Sequence, residues 1–395
     1  METKRLYYDN AYLTEFEAQV VALRPEGWAA LDCSAFYPTS GGQPFDTGAI
    51  SWAGQESLVT DVEVKDNVVW HKMSVLPPLG ENVRGRIDWP RRFDHMQQHA
   101  ADHMLAGAAF SMLRAVTLGL HTGAETASID MRLPEGRTHL TDAEIDALET
   151  LVNTRVQQDD PIRCWFPTPE ELTRLPLRKQ STVPEHTRVV AMGDYEMVPC
   201  GGTHPASTGQ IGPVKILSSA PARGVLRLTF VGGGRAVKYM QAAGRCAQTL
   251  CAALSADLSA APEALTRERE KALEEKKALN AQLLDAALQF SCQNARHLAD
   301  RPLYVRHLSF ATPALLLQTA KALIRDPRAL ALLSCPAGAR QMLVFARGGA
   351  LRADMTALLR ACGAQGGGRP DLAQGSAADS SALERALELL QGMEL

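Results

Sequence analysis

The chain has no run of eighteen apolar residues in its 395 positions, which argues against a membrane-spanning helix. Its first residues, METKRLYYDNAYL, contain no apolar core of signal-peptide length. Neither sign of charge prevails: 41 Lys and Arg face 44 Asp and Glu, for a formal net charge of -3. Overall charge therefore does not mark a nucleic-acid binder, and only a local basic patch could do so. The eight cysteines are scattered along a long chain, where a small secreted scaffold would concentrate them. Free thiols in a reducing cytoplasm are the simplest reading. The glycine-rich segment near residue 40 lacks the Gly-Lys-Ser/Thr ending of a nucleotide-hydrolase phosphate loop. The Gly-x-Ser-x-Gly elbow of ordinary esterases is also missing.

What remains is enough sequence for two or three domains of α+β class. Residues 1–90 read as strands and turns. FEAQVVAL and WAALDCSAFY are strand candidates, and SLVTDVEVKDNVVWHKM alternates around the turn pair Asp66-Asn67. A small β-barrel or curled sheet fits this region. The character changes at Asp88-Trp89-Pro90. Asp88 or Asp94 can cap a helix, Pro90 is acceptable near its start, and no further proline occurs through Leu113. An α+β core is expected over 91–240, with a second helix over 142–159 and a short third at 168–176. Residues 241–300 are expected to form a helical hairpin or coiled-coil linker. Leu265, Ala272, Leu279 and Ala286 lie seven apart, but Arg269 and Lys276 spoil the seam, so a surface helix within one domain is an equal alternative. Strand-like and helix-like runs alternate over 301–362, and a final helix follows, so 301–395 reads as a compact α/β domain.

Chemistry concentrates in two pairs. His99 and His103 are four apart, one turn along one helix face, where two imidazoles can hold one ion. Cys200 and His204 are also four apart, and Gly201-Gly202 between them favours a turn that aims both side chains at one point. Three imidazoles and one thiolate suit one tetrahedral Zn2+, with iron or copper less favoured. Four protein ligands would close the shell, as in structural sites, whereas a catalytic site keeps a place for water. Spacing alone does not decide between them. His95 extends the row by a turn and reads as a surface or supporting residue, while His121 reads equally as a residue near the metal cleft or as a packing or surface histidine.

Ser40 to Gly48 is dense in turn residues. Gly41 and Gly42 allow backbone N–H groups to approach a ligand, while a plain hairpin is an equal reading. Gln43 can hydrogen-bond a nucleotide or an amino acid. Cys33 and Ser34 alternate, so only one of them can share a side with Phe36. Cys33 as a nucleophile lacks a neighbouring histidine in the sequence. Arg223, Arg227, Arg235 and Lys238 form a local basic stretch around FVGGGRAVKY that can meet phosphates, with a solvated hairpin as the alternative.

Taken together, LDCSAFYPTSGGQPFDTG, HMQQHAADHML, LPLRK at 175–179 and CGGTHPASTGQIG resemble the editing domain of alanyl-tRNA synthetases and the freestanding alanyl-tRNA editing proteins. The resemblance covers about residues 1–240. Residues 255–395 are similar to the remainder of the long freestanding class, and GGGRPDLAQGSA resembles the glycine motif of the synthetase C-terminal domain, with Ser376 and Ala377 in place of its last two glycines. Nothing resembles the ATP-binding aminoacylation domain, so the chain is expected to deacylate tRNA and not to charge it. The resemblance implies a zinc-dependent hydrolase acting on Ser-tRNA(Ala), and on Gly-tRNA(Ala), in the cytoplasm. It places zinc on His99, His103, Cys200 and His204. It puts Gly41, Gly42, Gln43 and Ser34 around the aminoacyl group, and leaves Asp46 as a candidate for positioning water. Family members usually have Thr where this chain has Ser34, a change that keeps the hydroxyl and loses a methyl. The C-terminal half, including Arg369, is expected to hold tRNA and to allow a homodimer. The alternative function is a zinc-stabilised tRNA-binding protein without catalysis.

Overall fold

The computed structural model describes residues 2–180, 187–293, 295–378 and 381–392. The chain has an α+β architecture in two units, Met1–Ala247 and Gln248–Leu395. The boundary falls inside the helix Gly233–Leu254.

The first unit begins with a closed six-stranded barrel. Its strands run in the order Glu15–Arg24, Trp28–Leu31, Val68–Met73, Gln55–Lys65, Gly48–Trp52 and Asn82–Ile87, all antiparallel. Strict alternation explains why EFEAQV is a strand here: Phe16, Ala18 and Val20 point inward, while Glu15, Glu17 and Gln19 face solvent. Phe36, Ile50, Val62 and Val69 fill the interior beside them. Closure leaves no free sheet edge to template aggregation. The hairpin at Asp66-Asn67 has both residues at positive φ (53° and 62°), as a right-twisting two-residue turn requires.

The barrel hands over to the 25-residue helix Trp89–Leu113. The Asp88 side chain accepts from the Arg91 N–H, and Pro90 lies in the first turn, where its missing N–H costs nothing. From Met96 to Ala109 only Gln97 escapes full burial. Ala100, Ala101, Ala106, Gly107, Ala108 and Ala109 keep the helix thin enough for neighbours to approach on every side. It packs on helix Asp142–Gln157, which opens with a Thr141/Glu144 capping box. A four-stranded sheet (Val214–Ala222, Val225–Gly232, Ala127–Arg132, Val116–Thr122, in spatial order) supplies another wall. A three-stranded sheet (Ile162–Trp165, Val189–Met192, Glu196–Pro199) completes it. Residues 121–133 comprise the end of strand Val116–Thr122, a turn at 123–126 and the strand Ala127–Arg132, which pairs antiparallel with the first.

In the second unit the helix Ala261–Cys292 carries the heptad-like positions. Leu265 and Leu279 are more than half exposed, while Ala287 is fully buried against helix Pro313–Leu323. A six-stranded sheet follows, in the order Arg296–Leu298, Arg301–His307, Leu330–Ala337, Arg340–Arg347, Leu372–Ala377 and Gln365–Arg369. Helix Pro313–Leu323 is the crossover between its one parallel pair. The first six residues of Leu330–Ala337, LALLSC, are all buried, as a strand covered on both faces should be. Ala377, at a glycine position of the motif, lies in the core at 1% exposure. No helix among the described residues is long and apolar enough to cross a membrane.

Candidate metal centre and its cleft

His99 and His103 leave the long helix one turn apart with their rings stacked, centroids 5.1 Å apart. Cys200 and His204 come from the loop after strand Glu196–Pro199. The loop can close on the helix only because residue 202 is glycine: a Cβ there would sit 2.2 Å from His99 Cε1. One ligand atom from each of the four residues lies within 4.8 Å of the other three. Cys200 Sγ is 3.3 Å from His99 Nε2 and 3.4 Å from His204 Nε2. All three histidines are at most 6% exposed.

Gln43 orients this group. Its Oε1 is 2.9 Å from His99 Nδ1 and also accepts from the Thr203 N–H at 3.2 Å, while its Nε2 donates to Thr203 Oγ1 at 2.8 Å. An amide oxygen can only accept, so His99 carries its proton on Nδ1 and turns the Nε2 lone pair toward Cys200 and His204. Gln43 is itself 0% exposed. It sits at the end of a tight turn, bridged to Ser40, in which Gly41 and Gly42 have φ of +57° and +82°. Gly42 lies against strand Val116–Thr122, where a Cβ would meet Leu120 O at 2.4 Å. On the opposite side Arg188 Nη1 donates to the carbonyls of Cys200 (3.0 Å) and Gly202 (2.8 Å). The Gly202 N–H points at Cys200 Sγ at 3.3 Å.

Burial, assisted by Arg188, lowers His99 to about 4 and takes His103 and His204 well below the usual histidine range. Burial also pushes the Cys200 thiol up to about 12. His103 Nδ1 and His204 Nδ1 have no hydrogen-bond partner among the described residues. Neutral imidazoles and a sulfur, converging without a carboxylate among them, are a donor set that can bind a metal ion and fit a tetrahedral, borderline-soft one. His95 lies one turn back, 3% exposed, and does not join the cluster. Asp102 sits between the two helix ligands. Burial raises it to about 8, and its Oδ1 has no partner among the described residues.

The other expected site residues are placed differently. Ser34 is 0% exposed inside the barrel, 2.8 Å from His71 Nε2, and its Oγ accepts from the Phe36 N–H. His71 Nδ1 faces the Ala29 carbonyl at 3.1 Å, so the ring donates there and takes the Ser34 hydroxyl proton at Nε2. Asp46 is 0% exposed and accepts from Arg92 Nε at 3.0 and 2.9 Å, from Arg92 Nη2 at 2.5 Å and from the Tyr37 N–H at 2.6 Å. Cys33 is half-buried and donates to the Glu17 carbonyl, with burial raising its thiol to about 11. Arg223 and Lys238 are exposed. Arg227 makes two 2.7 Å bonds to Asp130, Arg235 is bound bidentately by Asp94, and Arg369 pairs with Asp371 at 3.3 Å. His121 is exposed on the strand against which Gly42 packs.

A cleft of about 1060 Å³ opens beside the cluster, with Cys200 and Gly201 in its wall. Tyr8 and Phe166 meet edge to face in it, ring centroids 5.6 Å apart. Lys4, Arg5, Lys179 and Arg188 also line it, against Glu2 and Asp9. Sequence reasoning singled out neither ring. It also missed Arg188, whose guanidinium lies 5.1 Å from the Tyr8 ring centre. Arg188 directly precedes strand Val189–Met192, which pairs with the strand leading into the Cys-Gly-Gly turn, and no local sequence signal reveals that pairing.

The fold thus joins a small closed barrel to an α+β core holding a buried His₃Cys group. A family model described as tRNA synthetases class II (A) matches residues 5–91, and one described as Threonyl and Alanyl tRNA synthetase second additional domain matches residues 187–229. The alanine–tRNA ligase of Methanoregula boonei is 33% identical over 405 residues, covering 98% of this chain and 43% of that protein. The enzyme of the same description from Methanoculleus marisnigri is 32% identical, with the same two coverages, 98% and 43%. That of Pyrococcus abyssi is 38% identical over 250 residues, 61% of this chain and 27% of that protein. The chain spans less than half the length of each of these relatives. A solved structure, the C-Ala domain from Aquifex aeolicus alanyl-tRNA synthetase, aligns with 25% of this chain and 95% of its own at 20% identity, with a TM-score of 0.23, too low to bear on the fold. The chain is related to the editing and C-terminal region of alanyl-tRNA synthetases.

Proposed function

We propose that this chain is an aminoacyl-tRNA deacylase that hydrolyses the ester of serine, and of glycine, on mischarged tRNA(Ala), with one zinc ion on His99, His103, Cys200 and His204. The observation that carries this reading is that Cys200 belongs to the buried donor cluster and also walls an open cleft. A substrate end can therefore reach the group. The need for such an activity is physical. A charging site built for alanine rejects a small extra group poorly, and a second site must remove the error.

When bound, zinc supplies a Lewis acid beside the ester or the terminal ribose. The chain's own residues do the positioning. Gln43 holds His99 in one tautomer, and Arg188 fixes the carbonyls on either side of Gly201. Gly41 and Gly42 set the turn that delivers Gln43. Gln43 acts on this reading through His99, while Ser34 and Asp46 support the barrel behind it. Arg223 and Lys238 carry the expected phosphate contacts, since Arg227, Arg235 and Arg369 already have acidic partners. Residues 91–240 act as the editing core, and residues 301–395 hold tRNA or a second copy of the chain. A cytoplasmic location follows from that substrate.

Release of free amino acid from Ser-, Gly- and Ala-tRNA(Ala), measured side by side, tests this directly. Serine release is expected to exceed alanine release by at least tenfold. One observation favours a second reading, a zinc-stabilised tRNA-binding protein: four protein donors converge, as in closed structural sites. Full zinc occupancy and tRNA binding with no release above background would establish that reading.

A further inference from the structure

We propose that Tyr8 is a further catalytic residue: its hydroxyl donates a hydrogen bond to the carbonyl oxygen of the ester as negative charge develops there, and Arg188 is the positioning residue that holds the phenol. The inference rests on the deacylase reading for the presence of an ester. It adds to that reading a chemical group from outside the four-residue cluster.

Position comes first. Tyr8 lines the cleft together with Cys200 and Gly201, and its hydroxyl oxygen lies 3.4 Å from the point that a Cβ on Gly201 would occupy. The phenol thus ends beside the neighbour of a cluster donor. That hydroxyl makes no hydrogen bond with a described residue, whereas the Tyr37 hydroxyl is spent on the Ser40 carbonyl at 3.2 Å. The Tyr8 ring is fixed all the same, edge-on to Tyr7 at 4.7 Å and to Phe166 at 5.6 Å between centroids. An unspent donor on an immobilised ring is preorganised for a charge that appears later. Charge is the remaining observation. Arg188 is 6% exposed and makes no ion pair with a described residue. Its Nη1 donates to two neutral carbonyls, and its guanidinium lies 5.1 Å from the Tyr8 ring centre, with Arg5 at 5.9 Å. The buried positive charge is left uncompensated. Full negative charge on the ester oxygen arises only during reaction, so a cation and an O–H donor placed there act on the rate more than on binding.

The step balances without consuming Tyr8. Water adds to the ester carbon, a C–O bond forms, and the carbonyl π pair moves onto the oxygen that Tyr8 contacts. When the pair returns, the bond to the ribose oxygen breaks. That oxygen leaves with its pair and takes one proton of the water, and the other leaves with the free amino acid. Tyr8 keeps its proton throughout.

The test compares the full, zinc-loaded chain with Tyr8→Phe, which keeps the ring and removes only the donor. Steady-state release of serine and of alanine from Ser- and Ala-tRNA(Ala) gives kcat and KM for each. Tyr8→Phe should lower kcat at least about 100-fold, the cost of removing one oxyanion donor, with KM within about twofold. The loss should be the same for serine and alanine, because the carbonyl oxygen is common to both. Zinc content and the urea midpoint should match the wild type. A kcat within about threefold of wild type overturns the proposal. So does a loss confined to serine, which would make the hydroxyl a reader of the side chain. Lost zinc or a lowered urea midpoint in Tyr8→Phe overturns it too, because the hydroxyl then serves the fold. No release by the wild-type chain overturns the deacylase reading and this proposal with it, whereas an active wild type with an unimpaired Tyr8→Phe overturns this proposal alone.

Discussion

Asp46 with Arg92, and the His₃Cys group, are two polar clusters buried in the same unit on contrasting terms. Arg92 is 0% exposed, and each of its three guanidinium nitrogens donates: to Asp46, to the Ala11 carbonyl and to the Ala35 carbonyl. Asp46 spends what remains on the Tyr37 N–H. Charge is balanced inside the cluster, and nothing further is needed to keep it buried. At the other site, three imidazoles and one thiol face each other, two Nδ1 atoms lack a partner among the described residues, and no opposite charge is among the four. The difference teaches how to tell a brace from a binding site. A brace satisfies itself, whereas a binding site is assembled at a cost that a ligand repays.

The largest expected effect separates the two clusters outright. Cys200→Ala removes the only sulfur and should cut zinc from one equivalent to under about a tenth, with serine release falling at least a hundredfold. Retention of zinc in that variant, by elemental analysis, would contradict the ligand set. Asp46→Ala should do the reverse. It leaves the Arg92 charge buried alone and should cost about 3–5 kcal/mol in urea unfolding, with zinc retained by the folded fraction. Asp46→Asn also leaves the Arg92 charge without a carboxylate and should lose stability in the same assay.

Gln43 links the glycine-rich turn to the metal site. Gln43→Ala should weaken zinc affinity about 10- to 100-fold in chelator competition, because His99 loses the acceptor that fixes its tautomer. An unchanged affinity would return Gln43 to a purely structural part in the turn. The pH dependence follows from the shifted groups. Without metal the Cys200 thiol, pushed up to about 12, is protonated at neutral pH, while His99, lowered to about 4, is already neutral. Zinc binding must therefore expel one proton, from the thiol. Affinity should rise about tenfold per pH unit between pH 6 and 8 and fall by the same factor as pH drops. A slope near two would show that a histidine also gives up a proton. The smallest effect belongs to Ser34→Ala. It strands the His71 nitrogen and the Phe36 N–H, for about 1–2 kcal/mol of stability.

Much of the first unit was legible because its signals are local. Alternation in EFEAQV, the Asp66-Asn67 turn and the cap at Asp88-Trp89-Pro90 each act within a few residues. The expectation for the long helix, Arg91 to Leu113, differs from Trp89–Leu113 only at its first turn, where the cap, once seen, sets the boundary. Less was legible wherever a side chain's partner is distant. Gln43 reads as a pocket residue from its glycine-rich setting, yet it lies 56 positions from His99 and 160 from Thr203, the groups it binds. Asp46 reads as a free acid until Arg92, 46 positions on, is seen beside it.

By itself, the sequence determined the two half-sites. Spacing of four places His99 and His103 on one helix face, and Gly201-Gly202 bends Cys200 toward His204, because helix periodicity and glycine turns are properties of short segments. Tertiary structure alone decided that the halves meet, that Gln43 and Arg188 hold them, and that Tyr8 and Phe166 border the cleft beside them. The two halves lie 101 positions apart, Gln43 lies 56 from His99 and 160 from Thr203, and Arg188, only 12 from Cys200, reaches it across paired strands. These contacts depend on how the barrel, the helix and the two sheets pack, and no window of sequence encodes that.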